Sequence, residues 1–221
     1  MEQNMDKENI YKGLKEQLAG AEKVLVGIGG EWKIPENADP VRISEVREGY
    51  QQLYELIKEK DYFIVTTLTD GEIWETQLNR NRIVAPCGNR HLYQCRSACV
   101  KEVWKETELS EKVCPHCKGP LVENTIQAEN YVEEGYLPMW KTYQTWLSAT
   151  LNRKLLVLEL GEGFGTPTVM RWPFEKIAFF NQKSRFFRIH ESFYQIPGEV
   201  RERAYGVRCN SVDFIRDLAG I

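Results

Sequence analysis

The chain alternates between short apolar runs and longer stretches in which apolar residues recur every three or four positions. Ile10, Leu14 and Leu18 fall at helical spacing within Asn9 to Gly20, and Lys23 to Gly30 follows as an apolar run closing on glycines, the pattern of a buried strand and its turn. A second helix is expected from Ser44, its N-cap, with Val46, Tyr50, Leu53, Tyr54 and Ile57 on one face. Tyr62 to Thr67, β-branched and aromatic, reads as the next strand. Farther on, a helix from Pro138 to Leu151 carries Trp140, Tyr143, Leu147 and Leu151, and Lys154 to Gly161 repeats the strand-into-glycine pattern. Ile177 to Asn181 and Phe186 to Ile189 read as two more short strands. Ser211 to Leu218 closes the chain as a helix with Val212, Ile215 and Leu218 in register.

Helices that alternate with buried strands imply crossover connections in a parallel sheet. Arg90 to Glu123 interrupts that order: it is polar, carries four of the six cysteines and lacks a clear period. The expected architecture is therefore α/β, an open, mostly parallel Rossmann-like sheet with helices on both faces and a small inserted metal-binding module. Residues 9–89 and 124–221 would form the discontinuous main domain, and 90–123 the module.

At 221 residues the chain has room for one such domain. Lys+Arg total 29 against 32 Asp+Glu, a net charge of −3 with no basic excess, which argues against a nucleic-acid partner. No run approaches the ~20 apolar residues of a membrane span, and the polar stretch Met1 to Glu8 leads into no apolar signal core. A cytoplasmic protein with no membrane partner is the expectation.

In a reducing compartment the cysteines read as ligands. Cys95 and Cys99 form one close pair, and Cys114 and Cys117 the other, with fourteen residues between the pairs. Four thiolates arranged in two pairs suit Zn²⁺ at ~2.3 Å per bond, in a closed and therefore structural site. His116 is an alternative ligand, but its place beside Cys117 points it away; the bland alternative is four free thiols.

Gly27-x-Gly29-Gly30 and Gly161-Glu162-Gly163-Phe164-Gly165 each follow an expected strand. Such turns let backbone N–H groups approach a pyrophosphate, and ligands of open α/β sheets bind at the carboxyl ends of the strands. Either turn could equally be only a turn; position 32, where the full dinucleotide fingerprint has glycine, is Trp32. Asn181, taken as the end of a third strand, would join that edge and bond a ribose, or else cap its own turn.

The order of these pieces resembles the sirtuins: a helix, Ala-Glu-Lys-Val-Leu-Val-Gly-Ile-Gly-Gly, then Tyr-Phe-Ile-Val-Thr-Thr-Leu-Thr-Asp, a four-cysteine module, Leu-Glu-Leu-Gly-Glu-Gly and Phe-Phe-Asn. The resemblance spans Ile10 to Leu218 and implies NAD-dependent protein deacylation or ADP-ribosyl transfer, with NAD or ADP-ribose and a modified protein or peptide as partners. It implies NAD contacts at Gly27, Gly29, Gly30, Thr67, Gly161, Gly163 and Asn181, an adenine loop at Asn210 and Ser211, and zinc on the four cysteines. The departures are specific. The Asn beside the nicotinamide is Leu68, although Asp70 is kept, and the catalytic His, eight positions before the first zinc cysteine, is Cys87. An unperturbed thiol is a poor general base at neutral pH. Cys87 is thus a thiolate nucleophile in an electropositive site or a small buried thiol where a His is not needed, and His91 is a substitute base or a polar loop residue. A catalytically inactive NAD or ADP-ribose sensor, or a zinc-stapled scaffold, is the competing expectation.

Three further groups have alternatives. Trp140, Tyr143 and Trp146 line a groove or fill the core, and Arg171 meets a phosphate or pairs with Glu175. Lys183, Arg185 and Arg188 read as a solvated face.

Overall fold

The computed structural model describes residues 7–109, 111 and 113–219, so the polar stretch at Met1–Asp6 lies outside the described residues. Helix α1 (Lys7–Gly20) leads into β1 (Lys23–Ile28), and α2 (Pro40–Ile57) into β2 (Asp61–Thr66). Helix α2 starts earlier than Ser44: Asp39 is the N-cap, its Oδ1 accepting from the Arg42 amide at 2.8 Å, and Pro40 takes the first turn, where its missing N–H costs nothing.

After β2 come the two-residue strand β3 (Ile83–Val84) and then β4 (Gly88–Cys95), β5 (Val103–Lys105) and β6 (Leu121–Thr125). The last three form their own antiparallel sheet, in the order β5-β4-β6, so the cysteine-bearing stretch has more regular structure than its polar sequence suggests. The chain then returns through α3 (Leu137–Ser148), β7 (Leu155–Leu160), α4 (Arg171–Phe180), β8 (Arg185–Ile189), β9 (Ala204–Val207) and α5 (Ser211–Ala219).

The main sheet is parallel throughout, in the order β3-β2-β1-β7-β8-β9. One face packs α1, α2 and α5 through Leu14, Tyr50, Leu53, Phe214 and Ile215; the other packs α3 and α4 through Tyr143, Trp146, Phe174 and Ala178. Alternate strand residues divide between the faces, Val24, Val26 and Ile28 to the first and Leu25, Phe63 and Val65 to the second. The α3 aromatics are therefore core, Tyr143 and Trp146 both packing on Phe63.

Two expectations fail here. Ile177 to Asn181 is the end of helix α4: Phe174, Ile177 and Ala178 recur at helical spacing against the sheet, and Pro173 sits in the first turn, where proline is tolerated. Arg188 is no surface residue. It is 1% exposed and binds Glu159 on β7 through Nε at 2.5 Å and Nη2 at 2.9 Å, with Glu175 at 2.8 Å. Arg171 joins the same network at 3.4 Å from Glu159, in place of the expected pairing with Glu175. Buried charges persist only when paired in this way.

Candidate functional site

The order in which strands are added reverses between β1 and β7, because β2 and β3 extend the sheet one way from β1 and β8 and β9 the other way from β7. The loops leaving the carboxyl ends of β1 and β7 therefore diverge and open a crevice, the place where open parallel sheets bind ligands. Gly29, Gly30, Gly161, Glu162 and Gly163 all lie on these two loops.

The loops touch. The Gly29 amide donates to the Leu160 carbonyl at 2.9 Å, and the Glu31 amide to the Gly161 carbonyl at 3.2 Å. A Cβ on Gly29 would stand 2.5 Å from the Glu162 Cα, so glycine is required there by close approach. Gly161 is required by conformation, with φ of +70°. Around Gly30 there is room: a Cβ would meet nothing nearer than the Gly161 carbonyl at 4.0 Å. Gly27 does different work, lying inside β1 with Phe174 2.6 Å from where a Cβ would sit, so it is a packing residue under α4.

Trp32 ends the short 3₁₀ turn Gly30–Trp32; it is buried on Tyr50, and its indole N–H donates to Ser211 Oγ at 3.0 Å. Asn210 caps α5, its Oδ1 accepting from the Val212 amide at 3.1 Å. Asn210 and Ser211 thus stand at the crevice edge but are committed to α5 and to Trp32.

Three acidic residues and a histidine belong to this edge or its wall. Glu31 takes the Glu191 amide on Oε1 at 2.8 Å and the Ser211 amide on Oε2 at 2.7 Å, at the N-terminus of α5. Asp70 ties the loops after β1 and β2 together, accepting from the Ile34 amide at 3.0 Å and the Glu72 amide at 3.2 Å; burial pushes its pKa up. Glu162 is 3% exposed and accepts a hydrogen bond from Thr67 Oγ1 at 2.7 Å. Burial and then the nearby Glu159 charge push its pKa up to about 7, against the Thr67 hydrogen bond and Arg171. His190 follows β8, and its Nδ1 accepts from the Ser192 and Phe193 amides at 2.9 and 3.0 Å. That geometry keeps the ring neutral, and burial lowers its pKa although Glu31 Oε1 is 3.4 Å away.

Cys87 lies between β3 and β4, buried, with the Thr166 hydroxyl 4.0 Å away. Burial, and to a smaller extent the Glu162 charge, raises its pKa to about 11, so the electropositive surroundings a thiolate needs are missing. Leu68 is also buried. His91 is exposed and packs its ring against Gly71.

Asn181 does not reach this crevice. As the C-cap of α4 it precedes β8, at the amino ends of the strands, and its Nδ2 donates to the Thr150 and Arg153 carbonyls at 3.0 and 3.1 Å. The carboxyl-edge position on that strand is His190. Its signal in the sequence was the end of the run Phe186 to Ile189, while Glu31 and Glu162 gave none beyond their place in glycine turns.

A cavity of about 650 Å³ lies apart from the crevice, lined by Trp74, Ile83, Gly88, His91, Tyr136 and Met139 among others. No residue of either glycine turn lines it, although charged side chains, Glu75, Arg80 and Arg90 among them, border it too.

At the far side of the antiparallel sheet, the sulfurs of Cys95, Cys99, Cys114 and Cys117 all lie within 4.8 Å of one another. Cys95 to Cys117 and Cys99 to Cys114 are each 3.6 Å. The edge of a tetrahedron with ~2.3 Å bonds is about 3.8 Å, so the four thiols are close enough to hold one metal ion between them. His116 turns away to Glu102 at 3.2 Å.

No family model matches the chain. Solved structures do match. A Sir2 homologue in complex with NAD superposes with a TM-score of 0.63 at 12% identity, covering 98% of this chain and 93% of the other. A structure from work on sirtuin substrate affinity gives 0.64 at 13% identity, covering 95% and 97%. The chain has the sirtuin fold. A curated relative, a protein ADP-ribosyltransferase of Staphylococcus aureus (strain Mu50 / ATCC 700699), is 25% identical over 176 residues, 72% of this chain. The chain spans 56% of that relative's length. No described helix of this sirtuin-fold chain is long and apolar enough to cross a membrane.

Proposed function

We propose that the chain binds NAD across the β1/β7 crevice and splits its bond to nicotinamide, passing ADP-ribose to an acceptor on a protein or peptide, or to water. NAD here is a substrate that is consumed. The observation that carries this reading is the meeting of two glycine turns at the switch point of a parallel sheet, with open space at Gly30 and the Thr67 hydroxyl on the same edge. Gly29, Gly30, Thr67 and Gly163 would hold the nucleotide. Residues 9–89 and 124–221 would carry it, and 90–123 would carry a structural Zn²⁺ on the four cysteines, as suits a closed thiolate set in a reducing, cytoplasmic setting.

ADP-ribosyl transfer is favoured over deacylation for two reasons. The Staphylococcus aureus relative is named a protein ADP-ribosyltransferase. Cys87, with a pKa near 11, offers no base for the deacylation step that the sirtuin His performs. Neighbours in complex with NAD and with a propionylated peptide keep an acylated peptide as the other acceptor class. A sensor that binds NAD or ADP-ribose without turnover is the second reading, favoured by buried Leu68 and the protonated Cys87.

The test is nicotinamide release from NAD by the zinc-loaded protein, with and without an acylated-lysine peptide, read by mass spectrometry. Release without peptide supports ADP-ribosyl transfer or hydrolysis, and release that needs it supports deacylation. Bound NAD without release supports the sensor.

A further inference from the structure

We infer that Glu162 is the acid–base group of the crevice, doing there what an imidazole at position 87 would otherwise do. The inference rests on the NAD-cleavage reading above. The other titratable side chains of the edge are already engaged or buried. Glu31 spends both oxygens on the amides of Glu191 and Ser211, Asp70 spends both on the amides of Ile34 and Glu72, and the Nδ1 of His190 is taken by two amides. Cys87 is a buried thiol. Glu162 alone among these carboxylates is bonded to a side-chain hydroxyl, Thr67 at 2.7 Å, which can turn to another acceptor at no cost to the backbone.

Its position is fixed from both sides. The carboxylate stands in the turn after β7, directly against Gly29 of the facing turn, and any side chain at position 29 would collide with it. It therefore sits at the switch point, with few other places to go. The charged and titratable groups facing it are Glu159 from β7, Arg171 from α4 and Cys87 from the β3–β4 connection. The nearby arginines, Arg188 and Arg171, pair with Glu159, so no salt bridge locks Glu162 as a carboxylate. Both of its protonation states are accessible near neutrality, the condition for an efficient general base.

In the reaction, Glu162 accepts the proton of the attacking hydroxyl, from water or from a nucleophilic side chain of the acceptor protein, as that oxygen bonds to C1′ of the ribose. The C1′–nitrogen bond breaks and its electron pair leaves with nicotinamide, which departs neutral. Glu162 then returns the proton to solvent.

The test compares wild type with Glu162→Gln, which keeps an acceptor for Thr67, in the zinc-loaded full chain. Nicotinamide release by wild type should rise with pH through about 7. Glu162→Gln should lose the pH-dependent limb and fall roughly 100-fold or more, with NAD affinity by calorimetry within about threefold of wild type. An unchanged rate and pH profile in Glu162→Gln overturns the inference. Wild type that binds NAD and releases nothing at any pH overturns it too, leaving the sensor reading standing, whereas wild type that does not bind NAD overturns the proposed function itself. Should Glu162→Gln not fold, carboxyl ¹³C NMR of wild type decides: a Glu162 midpoint near 7 that moves on adding NAD is expected, and a midpoint below about 5 contradicts it.

Discussion

The two edges of the parallel sheet treat their polar groups in opposite ways. At the amino edge, Asp61 receives the Trp146 indole N–H at 2.7 Å and pairs with Lys23 and, at 3.3 Å, Arg82; burial opposes its ionisation, but these partners hold its pKa down. Glu22 takes the Lys154 amide at 2.8 Å, which also lowers its pKa, and Asn181 bridges two carbonyls. Every one of these groups is matched to a complement, and the result is closure. At the carboxyl edge Asp70, Glu162 and Cys87 are all pushed towards their neutral forms, chiefly by burial. Groups held away from their comfortable charge state mark where a fold does chemistry, whereas matched groups mark where it is fastened.

The largest effect that sharpens this contrast is steric. Gly29→Val brings a branched side chain onto the Glu162 backbone, where nothing flexible can give way. It should abolish NAD binding and cost about 3 kcal/mol in urea melts. Retained NAD binding by this variant would remove the crevice from the proposal.

A pH-dependent effect of similar size is expected at Glu162. Its folded pKa of about 7 stands above the ordinary 4.5, so its contribution to stability is full below pH 4.5 and is lost as pH rises through 7. Wild type should therefore lose about 3 kcal/mol relative to Glu162→Gln between pH 4.5 and pH 8, read by chemical denaturation at each pH. A constant difference would mean the carboxylate is already relieved by solvent.

At the other edge, Asn181→Ala should cost about 1–3 kcal/mol, by stranding the Thr150 and Arg153 carbonyls, and leave NAD affinity unchanged. A large loss of affinity would restore Asn181 to the nucleotide site. The smallest effect is at Cys87: Cys87→Ala should change nicotinamide release by less than about twofold. Native Cys87 should also react with iodoacetamide at least roughly 100-fold more slowly than an unperturbed thiol.

How far the sequence could be read followed from how local each signal is. Strands β1, β2 and β7 were legible because buried parallel strands are continuous apolar runs, and the cysteine pairs were legible because ligand spacing is fixed by one metal. Helix α4 was not, since Ile177 to Phe180 is a four-residue apolar run that serves either a strand or a buried helix. That one misreading moved Asn181 to the wrong edge and hid His190. The short strands β4, β5 and β6 escaped because many of their residues are only partly buried and the metal ligands supply the order that a core otherwise would. Glu31 and Glu162 escaped for a deeper reason: a charged residue between glycines reads as exposed, and its burial exists only once two turns 130 residues apart are brought together.

The most direct measurement is NAD binding and nicotinamide release followed together in one sample of the zinc-loaded protein, by calorimetry and mass spectrometry, across pH 6 to 9. The crevice chemistry predicts saturable binding and a release rate that climbs through about pH 7. Neither binding nor release at any pH would contradict it, and would leave a sirtuin fold whose carboxyl edge does something other than hold NAD.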